Sequence, residues 1–402
     1  MKLGSHKGEN PLELRRALIR ETYGDMVGRP VQDLPTPAML LDLSAAERNI
    51  ARMASALKAM PAGIRPHIKV HKSAELASRQ IAAGAIGLSV ATVWEAVAFA
   101  WAGLDDLFVV NTVAHPEKIR VLAELARSRR VLVAIDEVAN ARELSAAARA
   151  AGSELGVMIE VDTGMDRAGV DDEAQAIALA EEILKLDHLR LEGITGYEGH
   201  CSLEMDQQLL IVRQHAAMDM FLQIGDRLES LGIPCPIRSA AGTVTWKLTG
   251  ERPGITEIQA GTYVLMDNFH GRRVPGGFEH ALTIATTVIS RPPNRLIVDA
   301  GNKSVGIGGG PSLMGVDLEV LHFHEEHGVF VAGADVNLPV GSWLRLVPGY
   351  APATVNMYDN YFVVVDDLVV DVWPVFPRGP GHNGLVELPE VERIPTSLAN
   401  RT

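Results

Sequence analysis

Lys69 ends the run Arg65-Pro66-His67-Ile68-Lys69-Val70, and Arg167 sits between two glycines in Asp162-Thr163-Gly164-Met165-Asp166-Arg167-Ala168-Gly169. His200 follows a glycine in Tyr197-Glu198-Gly199-His200. Two loops of small and hydroxyl-bearing residues read Ser239-Ala240-Ala241-Gly242-Thr243 and Gln259-Ala260-Gly261-Thr262. A lysine amine drawn among apolar neighbours is harder to protonate and becomes a nucleophile. An arginine on a glycine-flanked turn swings back over the end of the preceding run, and a histidine there can stack on a ring or move a proton. Small residues let an anion approach backbone N–H groups. Taken singly, each has an ordinary alternative: a surface lysine, a loop salt bridge, a satisfied histidine, a tight turn. Lys72 fits the surface alternative, because it lies past the run.

What gathers these residues is the pattern around them. Eight β-branched runs, at 66–70, 86–90, 107–111, 131–136, 157–162, 191–197, 236–240 and 257–261, alternate with segments of helical period. Repeated strand–helix alternation means a parallel sheet, and eight units predict a closed (β/α)8 barrel of the TIM type, an open doubly wound sheet being the alternative. Barrel enzymes carry their sites at the C-terminal strand ends, where all these motifs fall. From about residue 271 short strand-like runs separated by Gly, Pro and acidic turns predict an all-β domain. The expected layout is an extension over 1–35, a barrel over 36–270, and a β domain with a surface-hugging tail over 271–402. The run 38–42 has no barrel slot and is expected to join the β domain.

A lysine, a donor for a phenolic oxygen, a partner for a ring nitrogen and a phosphate cradle are what pyridoxal phosphate (PLP) needs. Asp162–Arg167 resembles the alanine-racemase-type barrel motif. The stretches 65–73, 256–263 and 298–303 resemble the D-threonine aldolase and D-serine dehydratase family of fold type III PLP enzymes, in consistent order from Thr36 to about Pro377. The resemblance implies Lys69 as the Schiff-base lysine, Arg167 on the phenolic oxygen, His200 against the ring face and Gln259 near the ring nitrogen. It implies Ser239, Gly242, Thr243, Gly261 and Thr262 as the phosphate holders. A neutral Gln259 leaves the ring nitrogen largely unprotonated and weakens the electron sink.

The family usually carries a divalent metal on a histidine and, two residues later, a Cys or Asp, just before Thr-Val-Asn. Here Tyr350 and Pro352 hold those positions, ahead of Thr354-Val355-Asn356. If the segment is a strand, the two share a face, but a phenol with a pKa of about 10 and a proline are poor ligands. Activity is therefore expected without a metal, with Tyr350 as a catalytic hydrogen-bond or proton donor. His382 or the turn 322–327 could bring a further ligand, though nothing in the sequence places either beside Tyr350. The His322–His327 cluster and the glycine-rich 306–310 loop read as a strand turn and a flexible loop.

The formal net charge of −13, without a basic tract, argues against nucleic acid or an anionic membrane as partner. No apolar run approaches the roughly 20 residues of a membrane span. Two cysteines cannot build a disulfide framework, which points to a reducing, cytoplasmic setting. The expected protein is a homodimeric PLP-dependent lyase acting on a small D-amino acid. Retro-aldol cleavage is the leading reaction and D-serine-dehydratase-like elimination the alternative. A racemase pairing Lys69 with a tyrosine, and a non-catalytic PLP-binding protein, are the other classes.

Overall fold

The computed structural model describes residues 10–274 and 276–379, so His382 and the tail from 380 onward lie outside the described residues. Strand β1 spans Ala38–Asp42, and eight parallel strands follow: β2 Gly63–Ile64, β3 Leu88–Val90, β4 Asp106–Val109, β5 Arg130–Ile135, β6 Leu155–Val161, β7 Leu189–Gly196, β8 Ile237–Ala240 and β9 Glu257–Ile258. Their order is β2-β9-β8-β7-β6-β5-β4-β3. The two ends of this curled sheet meet through Ile86 N–H donating to Ile64 O (2.9 Å) and Ser89 N–H donating to Pro66 O (3.0 Å), closing it into a barrel.

Local chemistry starts the intervening helices. Ser73, Thr92, Asp172 and Asp206 each accept a backbone N–H at a helix N-terminus. Gly152 ends the helix Val138–Ala151 at φ 66°, a left-handed value that suits glycine. Because helices cover the outside and side chains fill the inside, all seven residues of β6 are buried.

The second sheet is built from β10 Leu282–Ser290, β11 Arg295–Val298, β12 Ser312–Leu313, β13 Val320–Phe323, β14 Gly328–Val331, β15 Trp343–Val347, β16 Asn360–Val365 and β17 Leu368–Pro374. Strand β1 runs through its middle, antiparallel to β10 (Ala38 opposite Ala285) and parallel to β16 (Leu40 opposite Phe362). Its apolar residues are buried on both faces. The chain thus visits the second sheet before entering the barrel, which ties that sheet to the barrel mouth. The segment at Tyr350 is not a strand: Tyr350 precedes the five-residue helix Ala351–Val355, with Pro352 in its first turn, where a missing N–H costs nothing.

Candidate active site

The C-terminal mouth of the barrel opens into a cleft of about 750 Å³ of empty space, part of it open to solvent. Lys69 reaches it from the 3-10 turn Ile68–Val70 rather than from a strand. Strand β2 ends at Ile64, isolated pairing continues only as far as His67, whose N–H donates to Ala260 O (3.4 Å), and the 3-10 turn begins at Ile68, inside the 66–70 run expected to be a strand. The Lys69 side chain is open to the cleft, yet barrel atoms enclose it elsewhere, so it faces a pocket and not bulk water. Burial lowers the amine's pKa from its usual 10.5, Glu95 opposes the shift, and Arg167 adds to it. His67 beside it is buried, with no well-formed hydrogen bond at either ring nitrogen. Burial first, then the Lys69 charge, keep that imidazole neutral.

Asp162 shapes the arginine loop. Its carboxylate accepts the backbone N–H groups of Gly164 (2.8 Å), Met165 (2.7 Å) and Arg167 (3.0 Å). Burial works to raise its pKa, but the backbone donors outweigh it and hold the carboxylate charged. The pinned loop sets Arg167 Nη2 3.3 Å from Glu160 Oε1, with the guanidinium 5.9 Å from the centre of the Tyr197 ring. Glu160 is buried, which raises its pKa against the pull of Arg167.

On the far wall, Gln259 Nε2 donates to Ser239 Oγ (2.9 Å) and Thr195 Oγ1 (3.1 Å). Ser239, expected among the phosphate holders, is fully buried, does not line the cleft, and accepts its hydrogen bond from Gln259. Gly242, Thr243, Gly261 and Thr262 do line it. The N–H groups of Thr243, Gly261 and Thr262 have no acceptor among the described residues, which leaves a concave set of donors for an anion. Gly261 has a second reason to be glycine: a Cβ there would lie 2.3 Å from His67 O, so the Lys69 turn packs directly on it.

His200 stands apart. The chain enters a 3-10 helix, Gly199–Leu203, that carries it away from the cleft, against Gly164 and within 3.4 Å of Cys201 Sγ. Tyr197 lines the cleft in its place. Burial pushes its phenol up to about 12, so it stays protonated. Lys72, expected at the surface, is also buried: Nζ donates to Asn356 Oδ1 (3.0 Å) and Gly379 O (3.1 Å) and lies 3.6 Å from Glu95 Oε1.

Tyr350 and Pro352 line the cleft from the second sheet's side. Burial, then nearby Asp267, raise the Tyr350 phenol's pKa above its ordinary value, which disfavours the phenolate a metal would need. Among the described residues no three His, Cys, Asp or Glu side chains gather as a metal site. Sequence reasoning missed Tyr197, Glu160, Asn111, His67 and His270 as cleft residues. Four of them lie in or beside barrel strands, so the strand-end rule could have found them; His270 follows the last strand and bore no such signal.

The comparisons with known proteins agree with this architecture. The family "Alanine racemase, N-terminal domain" matches residues 41–268, and the family "Putative serine dehydratase domain" matches 281–364. The chain is 34% identical to a D-threonine aldolase of an Arthrobacter species, over 88% of this chain and 95% of that protein. It is 32% identical to the D-threo-3-hydroxyaspartate dehydratase of a Delftia species, over 85% of this chain and 97% of that protein. The crystal structure of D-threonine aldolase from Filomicrobium marinum superposes with a TM-score of 0.84 at 33% identity, covering 87% of this chain and 97% of the other. A (β/α)8 barrel with a lysine in its mouth, a nine-stranded partner sheet with β1 running through it, and matches along both parts have one reading: this chain belongs to the alanine-racemase-type family of fold type III PLP enzymes, in its D-threonine aldolase and D-serine dehydratase branch.

Proposed function

We propose that this chain is a PLP-dependent lyase that cleaves β-hydroxy-D-amino acids between Cα and Cβ without a divalent metal. The observation that carries it is the Lys69 amine, depressed in pKa and facing the same cleft as three N–H donors that have no acceptor among the described residues. These groups fit the cofactor: the amine suits its aldehyde, and the donors of Thr243, Gly261 and Thr262 suit its phosphate. PLP, when bound, supplies the electron sink that lets a bond at Cα break heterolytically. In this reading Arg167 and the protonated Tyr197 hold its polar substituents and ring, and Gln259, held by Ser239 and Thr195, meets its ring nitrogen. Lys69 holds or returns a proton at Cα. Tyr350 offers a phenolic hydrogen bond to the substrate from the wall opposite the barrel. The metal does not fit as well, since the Pro352 side chain has no donor atom and Tyr350 is held as a phenol.

The dehydratase relative favours a second reading, β-elimination from the same substrates. One experiment separates them: chelator-treated protein is incubated with D-threonine, D-serine and L- and D-alanine while aldehyde, keto acid and optical rotation are followed together. Aldehyde release supports cleavage, keto acid supports elimination, and loss of rotation alone supports racemisation. A homodimer and a reducing compartment belong to the same proposal. The exposed apolar side chains of Leu203, Met205, Leu209 and Val212 support association, and the two buried free cysteines support the compartment.

A further inference from the structure

Retro-aldol cleavage needs a proton taken from the substrate's β-oxygen as Cα–Cβ breaks. None of the residues assigned above takes it. Asp267 and His270, at the start of the short helix Asn268–Gly271, are built for that task. Asp267 is fully buried. Its Oδ1 accepts the backbone N–H of His270 (2.8 Å) and His270 Nδ1 (2.7 Å), while Oδ2 accepts the N–H of Ala351 (2.7 Å). Two backbone donors orient the carboxylate independently of the imidazole. With Nδ1–H committed to Asp267, Nε2 is the ring nitrogen left to take up a proton.

The His270 side chain is 12% exposed, and the residue lines the same cleft as Lys69. Its ring lies within 16° of parallel to the Tyr350 phenol, with centroids 6.1 Å apart, and Phe269 packs edge-on at 5.1 Å. Through Ala351 the same carboxylate grips the segment that carries Tyr350 and Pro352. The wall where relatives are expected to use a Lewis acid is therefore faced by an oriented imidazole.

We infer that His270, oriented by Asp267, is the general base that removes the β-hydroxyl proton; this rests on the reading under "Proposed function". The proton moves to Nε2, the O–H electron pair forms the carbonyl of the departing aldehyde, and the Cα–Cβ pair stays with Cα. Cα then takes a proton from Lys69, and water in the cleft returns the proton on His270 to the lysine. One β-hydroxy amino acid yields one aldehyde and glycine, with no oxidant or reductant.

The test uses the PLP-loaded full chain. His270→Gln should lower kcat for D-threonine cleavage by about 100-fold or more with KM changed by less than about threefold. The same variant should keep exchange of the D-alanine α-proton into D2O within about threefold, because that reaction has no β-hydroxyl to deprotonate. Added imidazole should restore turnover to His270→Ala in a concentration-dependent way, which a structural role would not produce. Nitrogen-15 histidine spectra of the wild type should show His270 as the Nδ1–H tautomer. Wild-type cleavage in His270→Gln, joint loss of cleavage and α-exchange, failure of imidazole rescue, or an Nε2–H tautomer would each overturn the inference and leave the lyase reading standing. A wild-type protein that exchanges α-protons but cleaves no β-hydroxy-D-amino acid would overturn both.

Discussion

Gly242 lies against the edge of the Tyr197 ring so closely that a Cβ there would come within 2.9 Å of Cε2. On the ring's other edge a Cβ at Gly199 would lie 2.3 Å from Cε1, so the ring has nowhere to retreat. Gly242→Ala should therefore displace Tyr197, cost about 1–3 kcal/mol of stability as an overpacked site does, and weaken PLP retention. Spectral titration of the cofactor beside a urea melt checks both. Unchanged cofactor affinity in a destabilised variant would show that Tyr197 does not touch the cofactor. Gly261 makes a poorer probe, because its substitution pushes on His67 O and moves the Lys69 turn itself.

Two lysines three positions apart should behave oppositely. Borohydride treatment of the loaded protein should fix the cofactor on Lys69, and Lys69→Ala should abolish turnover while the protein remains folded. Lys72→Met should leave the label on Lys69 but strand Glu95, which is 3% exposed, without its cation. Breaking such a buried pair costs roughly 3 kcal/mol or more, seen as a lower melting temperature. Peptide mapping that finds the label on Lys72 would contradict this arrangement.

Stability should fall with acid through His71. The ring is fully buried: Nδ1 accepts the Ser73 N–H (3.1 Å) and Nε2 meets Gln80 Oε1 (3.2 Å), a pattern that holds the neutral form. Burial is the main cause of a pKa lowered to about 4 from 6.5. A folded-state value below the unfolded one means the contribution is complete above pH 6.5 and is lost as the pH falls to about 4. The gap corresponds to about 3 kcal/mol, and His67, lowered in the same direction, adds to it. Urea unfolding of the wild type and of His71→Gln at pH 7 and pH 4.5 measures the difference. Parallel losses in the two proteins would remove His71 as the cause.

Chelation should leave the reaction rate unchanged, because the two positions where the family resemblance implies a metal pair carry Tyr350 and Pro352 in this chain. Tyr350→Phe should reduce turnover by about tenfold, the scale of one hydrogen bond of about 1.4 kcal/mol, without loosening PLP. Rates before and after EDTA, with manganese and zinc added back, decide the point. Loss on chelation with recovery on metal addition would make this a metal-assisted enzyme using ligands other than those two.

Local pattern in the sequence determined the barrel and most of its mouth. Strand and helix periods and capping residues act within a few positions, and parallel strands put their C-terminal ends on one face. Arg167, Thr243, Gln259, Gly261 and Thr262 therefore fell into one cleft by topology alone. Lys69 reached it for a different local reason: the apolar alternation at Ile68 and Val70 imitates a strand, but strand pairing stops at His67 and a 3-10 turn delivers the side chain. Whether Tyr197 or His200 enters the cleft depended on how the chain turns after β7, a matter of packing against Gly242 and Gly164. The burial of Lys72 depended on Glu95 and Asn356, which the sequence keeps distant. Most remote from local pattern is the Asp267–His270–Tyr350 grouping, joined by a hydrogen bond between residues 84 positions apart. No periodicity encodes such a pairing; it exists because β1 and the strands after the barrel build one sheet, and that sheet sets Tyr350 beside the barrel's last turn.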